Sequence, residues 1–201
     1  MSVLVLVFAL GVIVVRRRSL AIVLVAAQSL TLGLIALDLA ADRSSEFLVA
    51  SLVLLAKAVA LPVLLLLVVR HTREPRLVAA AAGPLVRLAG AAAVALLAVL
   101  LVPPLGLGGA QAEQLSVAVV VVGVSIVIAR RPALFQLLGL IVAENGLSLL
   151  AISVPGGLPY VVELGALLDL GLVVAVAAAF TRRIHEELGT GDTERLRGLR
   201  D

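Results

Sequence analysis

A chain of 201 residues that is 62% hydrophobic, only 14% charged and +1.22 in mean hydropathy cannot hide its apolar surface in one water-soluble core, so the bilayer is its solvent. The absence of cysteine excludes disulfides, iron–sulfur ligation and thiolate zinc sites. The net charge of +3 is the arginine excess of a membrane protein's cytoplasmic side and not a nucleic-acid footprint.

Seven apolar runs follow one another. The first, 2–15, ends at Arg16, Arg17 and Arg18. The second, 20–40, carries Gln28 and Thr31 on one face, and Asp38 near its end. Asp42, Arg43, Ser44, Ser45 and Glu46 separate it from the third, 47–69, which holds Lys57 at its centre and Pro62 five residues on. A stretch from 70 to 76, with Pro75, ends that run. The fourth, 85–102, is closed by Pro103, Pro104, Gly106, Gly108 and Gly109. The fifth, 115–129, runs into Arg130, Arg131 and Pro132, and the sixth, 134–152, bears Glu144 and Asn145. Pro155, Gly156, Gly157 and Pro159 lead to the seventh, 160–180, with Glu163 near its start and Asp169 at its middle between Gly165 and Gly171. A charged tail, 185–201, follows, in which Asp192 is placed to cap a short helix.

These runs predict an all-α integral membrane protein with seven transmembrane helices, a single domain over 1–184 and a cytoplasmic tail. The runs 2–15 and 115–129 fall below the roughly 17 residues a span requires, and rely on snorkelling arginines that follow them. Nothing alternates with period two, so a β-barrel is not supported. With no Trp and one Tyr, the usual aromatic belt is missing. In a seven-helix arrangement fourteen of the fifteen arginines fall on one side, Arg87 reaching it by snorkelling, and Arg43 stands alone on the other. That puts the N-terminus outside and the C-terminus in the cytoplasm. The first run is not a cleavable signal, because its charges follow the apolar stretch. A parallel repeat relates the first three helices to the last three. In each half, arginines lead into a helix with adjacent polar residues (Gln28 and Ser29, or Glu144 and Asn145), and the next helix holds a central charge, Lys57 or Asp169.

Charges at midplane depth are rare and usually functional, a central lysine costing roughly 3 kcal/mol on insertion. Lys57 is the only lysine, and its stem cannot reach either interface from there. It must meet a carboxylate, a water-filled cavity or backbone carbonyls. Pro62 removes the hydrogen bond to the carbonyl of Ala58, leaving a free acceptor beside Lys57. Glu144 shares an i, i+4 stripe with Gln136, Leu140 and Ser148, while Asn145 is turned from it by roughly 100°. Gly139 and Gly146 let a neighbouring helix approach that segment closely. Burial favours the neutral form of amine and carboxyl alike, which suits groups that pass protons. Lys57, Glu144 and Asp169 are therefore candidate proton carriers, and Glu163 a candidate access point. Gln28, Thr31, Asn145 and Ser148 are supporting polar groups. Asp38, Arg43 and Glu46 read as interfacial. His71 and His185 have no second histidine at ligand spacing, so no metal site is expected. Phosphate loops, nucleophile motifs and nucleic-acid modules are absent from the pattern.

The stretch Phe135-Gln-Leu-Leu-Gly-Leu-Ile-Val-Ala-Glu144-Asn145-Gly146 resembles the Glu-Asn-Gly helix of the E subunit of hydrogenase-4, a membrane subunit of formate-hydrogenlyase-type nickel–iron hydrogenase complexes. Ala27-Gln28-Ser29-Leu30 is similar to that family's Cys-Gln-Ser-Leu, Lys57 with Pro62 to its Lys-x4-Pro helix, and Gly83-Pro84 to the opening of its fourth helix. Val162-Glu163-Leu164-Gly165 with Asp169, and the tail from Asp192, resemble two further stretches in the same order. The last three helices also resemble the K subunit of respiratory complex I and its counterpart in multisubunit sodium/proton antiporters. There Glu144 and Asp169 match two intramembrane carboxylates, with the shorter Asp replacing Glu at the second. The resemblance implies a non-redox membrane subunit without a cofactor or catalytic centre of its own. It further implies neighbouring membrane subunits, antiporter-like ones among them, on which the tail can dock, and a bacterial or archaeal cell membrane. Three other readings stay open: a scaffold in which the charges only pair, a subunit of a cation/proton antiporter, and a stand-alone ion carrier.

Overall fold

A computed structural model describes residues 2–40, 45–71, 83–103, 106, 109–130, 132–154, 165 and 171. Among them the chain forms six helices and no strand: α1 (Ser2–Val14), α2 (Arg18–Ala40), α3 (Ser45–His71), α4 (Pro84–Leu101), α5 (Ala110–Ala129) and α6 (Ala133–Ser153). Within a bilayer, helices close their own backbone hydrogen bonds, and the breaks fall where proline, glycine and arginine interrupt the apolar runs. Gly83 is extended (φ −60°, ψ 155°), and Pro84 takes the first helical position of α4, where a missing N–H costs nothing. Gly106 turns with φ +71°, a conformation open to glycine, in the loop before α5.

Five helices, α2 to α6, are long and apolar enough to cross a membrane, which makes this a multi-pass membrane protein by length and composition. The 13 residues of α1 extend about 20 Å at 1.5 Å per residue, short of the ~30 Å hydrocarbon thickness. α5 corrects the expected 115–129, because it begins at Ala110. The apolar count stopped at its first polar turn, yet Glu113 there faces the positive end of the helix dipole and accepts a hydrogen bond from the Gly106 N–H at 3.3 Å. The seventh run, with Glu163 and Asp169, and the tail lie outside the described residues, except that Gly165 and Gly171 are helical.

α6 is the central helix: 78% of its span is buried, against 17% for α4. It packs on α5 and α2; α2 in turn packs on α1 and α3, and α1 also touches α4 and α5. α5 and α6 meet backbone to backbone. A Cβ on Gly123 would lie 2.6 Å from the Gly139 carbonyl oxygen, and one on Gly139 would lie 2.8 Å from that of Gly123. Gly146 has the same intimacy with Val120, 2.8 Å from its nitrogen. Small residues at such a crossing let dispersion contacts form along the whole seam, which is what holds helices together in lipid. One apolar cluster joins Val5, Ala9 and Val12 of α1 to Ile22, Val122, Phe135 and Ile141. Another joins Leu32 and Ala36 of α2 to Phe47 and Leu54 of α3 and Leu149 of α6. Leucines and valines elsewhere point outward, as Val59 and Leu100 do.

Candidate functional site

α3 and α6 place the charges at the centres of their apolar runs against each other. Lys57 donates from Nζ to Glu144 Oε2, and the side chains are 3% and 8% exposed. The other carboxylate oxygen, Oε1, accepts from Ser148 Oγ at 2.9 Å, one helical turn along α6. Gly165 closes another side: a Cβ there would lie 2.9 Å from Glu144 Cδ and closer still to Oε1. The carboxylate is thus enclosed by an ammonium, a hydroxyl and a bare backbone. The other half of the i, i+4 stripe, Gln136 and Leu140, is exposed. Pro62 lies within α3 and the helix continues through it; the buried Ala58, whose carbonyl a proline at that position leaves without its helical donor, is next to Lys57.

Asn145, turned away from Glu144 by one helical step, faces α2. Its Nδ2 donates to Gln28 Oε1 at 3.1 Å and to Ser29 Oγ at 3.0 Å. Gln28 Nε2 then donates to the Val5 carbonyl of α1 at 3.0 Å. Gln28 and Asn145 are wholly buried. One polar chain therefore ties α1, α2 and α6 at the level of the ion pair. Thr31 stays outside it, because its hydroxyl donates to the Ala27 carbonyl of its own helix at 2.8 Å. A hydroxyl spent on the carbonyl four residues back is not available to a neighbour. Glu163 and Asp169 lie outside the described residues, so their distance from Glu144 is not part of this geometry.

Two arginines, Arg87 and Arg130, behave differently from the snorkelling expected of them, whereas Arg16 and Arg17 are exposed. Arg87, 6% exposed, turns inward and its Nη2 reaches the Val14 carbonyl at 3.5 Å. Arg130, 2% exposed, donates from Nη2 to the carbonyls of Ile13, at 3.1 Å, and Val15, and its guanidinium lies 4.3 Å from the centre of the Phe135 ring. These are the carbonyls that the end of α1 leaves without helical partners, and a cation there also meets the negative end of the dipole. Burial first, and then the charges of Arg87 and Arg16, push Arg130 down to about 10, which leaves it cationic at neutral pH. Glu113, buried at the start of α5, likewise escaped the apolar reading. A charged residue flanking a span gives no sequence signal of which way it turns. Among the described residues no three His, Cys, Asp or Glu side chains converge on a metal position.

A buried carboxylate and ammonium in direct contact can exchange a proton, or can simply neutralise each other. The enclosure of Glu144 raises the cost of losing either partner, about 3–5 kcal/mol for a buried pair broken on one side.

No profile of a known protein family matches the chain, and no solved structure matches it. Over 84 residues it is 36% identical to the uncharacterized protein Rv0085 of Mycobacterium tuberculosis, a likeness that covers 42% of this chain and 38% of that one. The match thus spans under half of the curated relative's length.

Proposed function

We propose that the chain is a non-redox membrane-arm subunit of an energy-converting complex of the hydrogenase-4 or complex-I type, contributing Lys57, Glu144 and Asp169 to a lateral proton path entered near Glu163. The observation that carries this reading is the buried Lys57–Glu144 pair between α3 and α6, with Ser148 on the second carboxylate oxygen. Protonation of Glu144 removes a counter-charge of Lys57 and so favours release of the lysine's own proton to the next acceptor. Deprotonation of Glu144 reverses the bias. Two such sites in series are coupled through a poorly screened field, so charge movement in one shifts the other. Gln28 and Asn145 hold α6 in register with α2 while this happens. The driving energy comes from electron transfer in partner subunits, among which antiporter-like subunits are neighbours. Seven spans, an outside N-terminus, a cytoplasmic tail that docks on a partner and a bacterial or archaeal cell membrane complete the reading.

Glu144→Gln tests it. The amide keeps the side chain's volume and hydrogen-bonding capacity but cannot carry the proton. The assembled complex is expected to retain its subunits and lose most of its coupled proton movement, measured as acidification by vesicles; unchanged pumping in a well-assembled Glu144→Gln complex would overturn the reading.

A second reading, a scaffold, has its own support: both oxygens of Glu144 are already engaged, which is how a static pair is satisfied. It predicts that Lys57→Met abolishes assembly and that exchanging the two charges, Lys57→Glu with Glu144→Lys, restores assembly and full activity together. Membership of a cation/proton antiporter uses the same residues, and sodium dependence of transport distinguishes it.

A further inference from the structure

Two arginines of distant sequence converge on three consecutive carbonyls at the end of α1. Arg87, in the first turn of α4, reaches Val14, and Arg130, just past α5, reaches Ile13 and Val15. Both use Nη2 for this. Their Nε and Nη1 atoms, four nitrogens in all, are buried with no hydrogen-bond partner among the described residues. A guanidinium carries five N–H donors, and a buried donor left unmet forfeits its hydration without compensation. Arg18, the first residue of α2, is also buried at this end, and Arg16 stands exposed beside it. The charges of Arg87 and Arg16 are near enough to Arg130 to depress its proton affinity. Among the described residues, what faces Arg87 and Arg130 is helix carbonyls and the ring of Phe135, which supply partial negative charge but no formal anion. The cluster therefore combines like charges, unspent donors and burial, which is the arrangement an anion relieves.

We propose that the end of the bundle where Arg87 and Arg130 meet α1 is a binding site for a phosphate-bearing anion, with Arg16 at its rim. Phosphate oxygens offer several strong acceptors to planar guanidinium donors, and a formal charge that offsets their mutual repulsion. The same chemistry comes from two sources, the headgroup of an anionic phospholipid or free phosphate. The position favours the lipid: the site lies where three helices end, at headgroup level for a spanning bundle, and basic pockets between membrane helices hold such headgroups. Leu85, 77% exposed, and Ile128, 80% exposed, lie within two residues of Arg87 and Arg130 and give acyl chains an apolar bed. Nothing in this depends on proton transfer at Lys57.

The test uses the full chain in phosphatidylcholine nanodiscs, titrated with phosphatidylglycerol or with inorganic phosphate, and read by native mass spectrometry and thermal unfolding. Wild type is expected to retain phosphatidylglycerol and to unfold several degrees higher with it. Arg87→Gln and Arg130→Gln are expected to weaken retention at least about tenfold, whereas Arg43→Gln keeps it. Because a Gln variant can misfold, Arg130→Lys and the exposed Arg16→Gln are measured beside them. The first keeps the charge with fewer donors, and both are expected to weaken retention by a smaller factor. A shift produced equally by inorganic phosphate assigns the site to the free anion; a requirement for the diacyl lipid assigns it to the headgroup. Retention by all these variants at the wild-type level, or an equal effect of added phosphatidylcholine, overturns the proposal.

Discussion

Neighbouring residues on one turn of α6 do different work because a helix step of 100° sends them to different partners. Glu144 goes to α3, where it meets Lys57; Asn145 goes to α2, where it meets Gln28 and Ser29. The amide of Asn145 is the middle link of the polar chain, so its loss takes a donor from the Gln28 side-chain carbonyl and the Ser29 hydroxyl where both are buried. Asn145→Ala is expected to destabilise the protein by about 1–3 kcal/mol, more than a surface substitution does, as measured by thermal unfolding in detergent. An Asn145→Ala variant as stable as wild type would mean that water enters to replace the amide. The polar residues on these helices were legible from the sequence because each interrupts an apolar run. Their partners were not, since Lys57 and Glu144 are 87 residues apart and Asn145 and Gln28 are 117 apart. Thr31 shows the complement: by spacing it shares a face with Gln28, but its hydroxyl closes on its own backbone.

Helix against helix, the decisive contact is the α5–α6 seam. Gly123 and Gly139 face each other so closely that an added methyl has backbone as its obstacle, which cannot turn aside as a flexible side chain would. Gly90 of α4 has open space around its Cβ position. The two glycines therefore predict opposite signs. Gly139→Ala is expected to destabilise by the 1–3 kcal/mol typical of overpacking, whereas Gly90→Ala leaves stability unchanged or raises it by up to about 1 kcal/mol through helix propensity. Unfolding midpoints of the two variants in one detergent provide the comparison. Gly139 and Gly146 mark a close approach in the sequence of α6, whereas Gly123, the other side of that approach, is a lone glycine among the valines of α5. The same helix started earlier than its apolar run, because hydropathy reports depth in lipid while hydrogen bonding and the helix dipole decide where a helix begins.

For the whole molecule, the arginine asymmetry makes a topological prediction that the native sequence suits well, since there is no cysteine to remove. Single cysteines replacing Arg17 and Arg43 are expected to label from opposite faces of sealed membrane vesicles, Arg17 from the cytoplasmic side. An N-terminal tag is expected to be accessible from the side of Arg43. Tag and Arg17 accessible from one side would mean that α1, with its 13 residues, does not cross. By itself the sequence determined the helical class, the membrane setting, the places where apolar runs break and the scarcity of central charges. Hydropathy is a sum over neighbouring residues, and lipid leaves helices as the open-ended solution for the backbone. Only the tertiary structure decided that Lys57, for which a carboxylate, a cavity and a carbonyl were all open, meets the carboxylate of Glu144. It alone showed that Arg87 and Arg130 turn inward to the end of α1. Both outcomes depend on which helices lie side by side, and that is set by small-residue packing between segments far apart in the chain, which no local sum contains.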